Sequence, residues 1–137
     1  MSRDPSDLTE WLSRFLERYG GIAGTVHLQA NKELQLVASV NIPPKVQELT
    51  AWITKGKGMA GLAWARGEPV QTCNLKTDSS GDVRPGARAV DAQAAVALPV
   101  RAKSGEIRAV VGIAFANERE IHNDELSTLA EEASTLP

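Results

Sequence analysis

The sequence is poor in the residues from which most protein chemistry is built. Its 137 residues include a single cysteine, Cys73, two histidines, His27 and His122, and only six aromatics. One cysteine excludes an intramolecular disulfide and a C-x-x-C pair, and points to a reducing compartment. The two histidines stand far apart and have no His or Cys neighbours at ligand spacing, so no metal site is predicted. No charge sign dominates either. Fifteen Lys and Arg against seventeen Asp and Glu leave a formal net charge of −2, which gives nucleic-acid binding no electrostatic basis. The longest apolar run, Ala109 to Ala116, is eight residues, far below the roughly 20 that a membrane-spanning helix needs. The opening Met1-Ser2-Arg3-Asp4-Pro5-Ser6-Asp7 lacks an apolar stretch behind a basic patch, so no secretory signal is read and the expected location is cytoplasmic.

What is present is ordinary globular composition, 42% hydrophobic and 23% charged. A chain of this length buries roughly two thirds of its unfolded surface, so its core needs neither disulfide nor metal. One domain over residues 1–137 is expected, with an N-terminal helix in 1–20, a sheet and pocket in 22–116 and a C-terminal helix in 121–137.

Local signals divide the chain. Asp4 caps a helix that has Pro5 at its first position, and Leu8, Trp11, Leu12, Phe15 and Tyr19 make one apolar stripe before Gly20-Gly21 ends it. Ile22–Ala30 and Glu33–Asn41 alternate with period two around Asn31-Lys32 and read as a hairpin. In the first of these strands Val26, Leu28 and Ala30 face one way, and Thr25, His27 and Gln29 the other. Pro43-Pro44 opens a short helix over Lys45–Ile53 whose Val46, Leu49 and Trp52 or Ile53 share a face. A second short helix, Met59–Arg66, ends at Gly67, and Val70–Leu75 reads as a strand. Lys76–Gln93 is dense in breakers and reads as a long loop with at most one helical turn near Ala87–Val90. Ala94–Arg101 and Glu106–Ala116 form a second hairpin, apolar enough for both faces to be covered. A last helix, from about Asn123 to Leu136, is capped by His122 or Asn123 and puts Leu126, Leu129, Ala130 and Ala133 on one face.

This order of elements, together with Lys55-Gly56-Lys57-Gly58-Met59-Ala60-Gly61-Leu62-Ala63, then Gly67-Glu68-Pro69-Val70 and Asp78, resembles the GAF domain, a small cytoplasmic sensory module. Ala97-Leu98-Pro99-Val100 and Val111-Gly112-Ile113-Ala114 resemble that family's last two strands. The resemblance implies an α+β, PAS-related fold. In it a central antiparallel sheet of about five to six strands carries the terminal helices on one face. A ligand pocket, closed by the short helices and the long loop, lies on the other. GAF relatives use cyclic nucleotides, amino-acid derivatives, chromophores or haem, and no residue here selects among them, so no cofactor is named.

Each candidate residue has a functional and a plain reading. Thr25, His27 and Gln29 line a polar cavity or face solvent, and His27 is a pocket wall or a satisfied core group. Trp64 offers a flat surface to a planar ligand or simply packs on the sheet. Arg84 and Arg88, with Asp78, Asp82 and Asp91, fix an anionic ligand or form a solvated loop of compensating charges; Arg88 is favoured by its apolar neighbours. Cys73 is a small buried hydrophobe unless exposure and a lowered pKa make it redox-active. One GAF branch reduces free methionine sulfoxide with several cysteines, and a chain with one departs from it. Gly56 and Gly58 beside Lys55 and Lys57 do not form a G-x-x-x-x-G-K-[ST] loop and serve a tight turn. Leu8, Trp11 and Phe15 with Leu126, Leu129 and Ala133 are core, or a dimer seam if the stripe exceeds what the sheet covers.

The expectation is therefore a free-standing sensory module, not an enzyme, that binds a small, anionic or planar metabolite and relays it through a homodimer or a signalling partner. The alternative is a ligand-free dimerisation or protein-interaction module. A reductase ranks below both, for want of a second cysteine.

Overall fold

The computed structural model describes residues 5–72, 94–117 and 121–137. The long loop expected over Lys76–Gln93, and the end of the strand expected to reach Leu75, lie outside them.

Helix α1 spans Pro5–Tyr19, and Gly20, with φ of 75°, ends it. Strands β1 (Ala23–Ala30) and β2 (Glu33–Val40) form the expected hairpin. Its two-residue turn places both Asn31 and Lys32 at positive φ, the primed geometry that suits strand twist. Helix α2 (Pro44–Leu49) begins behind Pro43 but is shorter than the sequence predicts. Trp52–Thr54 is not its last turn but a strand, β3, antiparallel to β2. An aromatic and two β-branched residues in a row satisfy their backbone along the open edge of β2 better than in a helix. Ile53 is buried there, while Leu49 and Trp52 are 58% and 48% exposed, so the helical face expected to unite them does not form.

Helix α3 (Gly58–Arg66) ends at Gly67 in the left-handed conformation, and β4 (Val70–Thr72) follows. Strands β5 (Ala94–Arg101) and β6 (Ile107–Phe115) make the second hairpin, and α4 (Asn123–Ala133) closes the chain. His122 holds the position before α4 without a side-chain cap bond. Among the described residues no helix is long and apolar enough to cross a membrane.

The strands form one antiparallel sheet in the order β3-β2-β1-β6-β5-β4. One face carries α1 and α4. Leu8, Leu12, Phe15 and Leu16 of α1 and Leu129 and Ala133 of α4 pack on Val26, Val96, Leu98, Val111 and Ile113. The two helices are clasped together where Trp11 Nε1 donates to Thr135 Oγ1 at 2.9 Å and Arg18 and Tyr19 donate to Glu132. The hydrogen bond from Arg18 holds the Glu132 carboxyl below its usual range. Of the two readings of this stripe, core or dimer seam, Leu8, Phe15, Leu129 and Ala133 take the core one within their own chain, and Trp11 and Leu126 are half-buried.

The other face carries α2 and α3, and pairing with β6 decides which β1 side chains turn that way. Val26 lies opposite Val111, against the terminal helices, and His27 lies opposite Val110. Between those two residues the pairing of β1 with β2 skips Val37, a bulge that turns both Val37 and Ala38 toward the terminal helices. Leu34, further along β2, is left on the α3 side.

Candidate functional site

The second face is built from small side chains. Across β1, β6 and β5 the register aligns Ala23, Ala114 and Ala95 in one rung and Thr25, Gly112 and Ala97 in the next. Nothing in these two rungs is larger than threonine. A Cβ on Gly112 would lie 2.7 Å from Thr25 Oγ1, so a larger residue there would force the threonine side chain to turn. In the third rung His27 stands beside Val110. Above this floor run Ile42, Val46 and Leu49 on one side and Gly58, Met59 and Ala60 on the other, with Ile53 at the end. They bound a partly open cavity of about 350 Å³, more than twice the ~150 Å³ apolar cavity that takes up benzene. Among the described residues the lining is apolar apart from Thr25, His27, Thr50 and Lys57, and Lys57 is exposed.

His27 is the buried polar residue of the site, 2% exposed. Its Nε2 lies 2.9 Å from the carbonyl oxygen of Thr50, at the end of α2. A carbonyl only accepts, so Nε2 carries the proton and Nδ1 holds the lone pair. Nδ1 is buried and has no hydrogen-bond partner among the described residues. Burial pushes the imidazole pKa down to about 4, against the smaller opposing effect of the Thr50 carbonyl, so the ring is neutral near pH 7. The Thr50 hydroxyl in turn donates to Val46 O at 2.8 Å and closes the last turn of α2.

The residues expected at the site divide. Thr25 and His27 line the cavity, whereas Gln29 is exposed two residues further along β1 and does not. Trp64 does not line it either. It packs with Ile53, Ala63 and Val70, and Lys55 Nζ lies 5.4 Å from its ring centroid, a cation–π contact. Cys73, Asp78, Arg84, Arg88 and Asp91 lie outside the described residues. The residues that make the space, Ala23, Ala95, Ala97, Gly112 and Ala114, were not singled out from the sequence. The signal for them is the period-two recurrence of small residues in Ala95-Val96-Ala97 and Gly112-Ile113-Ala114.

Comparison with known proteins agrees with this architecture. The family model for the GAF domain matches residues 2–136, and the chain belongs to that family. No curated protein matches it in sequence. Its fold is similar to that of a type II free methionine-R-sulfoxide reductase from Thermoplasma acidophilum, with a TM-score of 0.76 and 17% identity over 97% of this chain and 89% of that one. It is also similar to the nlh2 GAF domain of A. aeolicus in an inactive state, with a TM-score of 0.69 and 19% identity over 98% and 80%. A Staphylococcus aureus NreA protein mutated in its nitrate-binding site gives a TM-score of 0.70 and 18% identity over 90% and 98%. These neighbours include both an enzyme and sensory domains, so the shared fold does not decide between catalysis and sensing.

Proposed function

We propose that this GAF domain is a signalling module that holds a small molecule between the sheet and helices α2 and α3 and transmits its occupancy through β1 to the terminal helices. The observation that carries the proposal is the cavity of about 350 Å³ over a floor of alanine, glycine and threonine. A close-packed interior fills such space with side chains, and this size and apolar lining with a few polar groups are those of a ligand pocket. The route outward is short. Thr25 and His27 line the cavity, and Gly24 and Val26, alternating with them, meet Leu12 and Leu16 of α1 and the core beneath α4. The exposed side of α1, with Glu10, Arg14, Glu17 and Arg18, then presents a polar surface to a partner or a second copy.

Binding is preferred to catalysis on chemical grounds. Thiol reduction of a sulfoxide ends with two thiols joined as a disulfide, and this chain supplies one, Cys73, so a reductase built on it would have to draw its second thiol from another molecule.

Native mass spectrometry of the purified full chain tests the reading. A stoichiometric small-molecule adduct is expected, lost in Ala95→Leu, which fills the floor. An adduct-free chain that no metabolite mixture stabilises against heat overturns the proposal and leaves a ligand-free interaction module.

A further inference from the structure

Two neighbouring residues of β4 face opposite sides of the sheet. Val70 packs with Ala63 and Trp64 of α3 on the cavity side. Gln71, the next residue, turns to the other side. There its Nε2 donates to the carbonyl oxygen of Ile121 at 3.0 Å, and its Oε1 accepts from the Ile121 N–H at 3.0 Å. One side chain satisfies both main-chain groups of a residue that is itself buried beneath the terminal helices.

Ile121 leads directly into α4. His122 holds the position before that helix and makes no side-chain cap bond, so the usual local means of fixing a helix start is missing. The Gln71 amide fixes it instead, from a strand at the end of the sheet. The other end of α4 is held by α1, through the bonds of Trp11 to Thr135 and of Arg18 and Tyr19 to Glu132. α4 is therefore tied at one end to α1 and at the other to β4.

β4 in turn moves with α3. It pairs with β5 alone, from Val70 to Thr72, and is joined to α3 by Gly67-Glu68-Pro69, in which proline fixes one backbone torsion. The first turn of α3, with Gly58, Met59 and Ala60, lines the cavity. A displacement of α3 there reaches β4 through Val70 and the start of α4 through Gln71.

We infer that Gln71 couples the cavity wall formed by α3 to the N-terminal end of α4, so that filling the cavity pivots α4 about its clasp with α1. The inference rests on the reading of the cavity as a ligand site and adds to the route through β1 a second one, which ends on the other terminal helix.

NMR on the full chain, without ligand, tests the coupling. In Gln71→Leu, hydrogen exchange of the Leu126 amide, which bonds His122 O in the first turn of α4, is expected to rise at least about 10-fold, and that of Ala133, near the clasp, to rise less. A uniform rise along α4, or none, overturns the latch. Ala60→Leu pushes on α3 from within the cavity. It is expected to shift the Ile121 and His122 amide signals in the wild-type background and not beside Gln71→Leu, while Leu12 and Leu16 of α1, on the β1 route, shift in both. Silence of Ile121 and His122 in Ala60→Leu alone, or an equal shift in both backgrounds, overturns the coupling. If Gln71→Leu does not fold, Gln71→Glu takes its place: it keeps an acceptor for the Ile121 N–H and loses the donor to its carbonyl, so the same changes are expected at smaller size. Because no ligand enters, failure here leaves the cavity reading standing, whereas an adduct-free chain that no metabolite mixture stabilises removes that reading and leaves the contact between α3 and α4 measurable.

Discussion

An imidazole sealed among aliphatic walls can be charged only at the expense of the fold, and His27 makes this measurable. Its pKa is about 4 in the folded chain and about 6.5 when the chain is unfolded. Between those values the unfolded state binds more protons than the folded one, so stability rises with pH across that window. The contribution is complete above about pH 6.5, falls as the pH drops toward 4, and is constant below. A shift of this size corresponds to about 3 kcal/mol. His27→Phe is expected to lose this dependence, so that its urea midpoint changes less than that of the wild-type chain between pH 7 and pH 4.5; parallel curves would place the imidazole in water. His27 and Thr25 were legible in the sequence because period-two alternation in β1 sets them apart from Val26. Alternation assigns a face and not an extent, which is why Gln29, on the same side by count, is exposed beyond the cavity. For Trp64 the sequence left two readings open, a ligand surface or packing on the sheet, for a related reason. Its position in α3 was legible, but the direction in which α3 presents it depends on packing against β4 and β5, which local pattern does not contain.

Elements approach closely where side chains are missing, and the contact of α1 with β1 turns on Gly24. A Cβ there would stand 2.8 Å from the carbonyl oxygen of Gly112, 2.9 Å from Leu16 Cδ2 and 3.1 Å from Leu12 Cδ1. The leucines can turn aside, but a backbone oxygen on the neighbouring strand moves only if β1 and β6 separate. Gly24→Ala is therefore expected to destabilise the chain by about 1–3 kcal/mol, as overpacking does, lowering the denaturant midpoint with little change in slope; an unchanged midpoint would mean that α1 rides higher on the sheet. At this scale most of the architecture was readable. Caps, glycine stops and alternation located α1, α3, α4 and both hairpins, since each is decided within its own segment. What was not readable depends on a neighbour. β3 exists because β2 offers it a free edge, so Trp52 and Ile53 by themselves read as the end of a helix. The bulge at Val37 shows only when β1 and β2 are aligned, yet it sets which face Ala38 occupies.

At the level of the whole molecule the two faces of one sheet are built on opposite terms. Beneath the terminal helices the strands carry Val26, Val96, Leu98, Val111 and Ile113 into a filled core, while the same strands, one residue over, carry alanine, glycine and threonine into open space. The second face thus forgoes packing that larger side chains would supply. Ala95→Leu tests this directly, because Ala95 lines the cavity on β5 and the substitution adds three carbons where there is room for them. At ~0.8 kcal/mol per buried methylene, and with some loss for imperfect fit, a gain of about 2 kcal/mol is expected. For a domain of this length that raises the melting temperature by about 7 °C. The same variant is expected to lose any melting shift that a ligand gives the wild-type chain, so stability and binding move in opposite directions at one position. Improved stability with ligand response intact would mean that the ligand sits elsewhere. Lower stability would mean that the floor is already filled, with the small residues serving close contact between sheet and helices rather than a site.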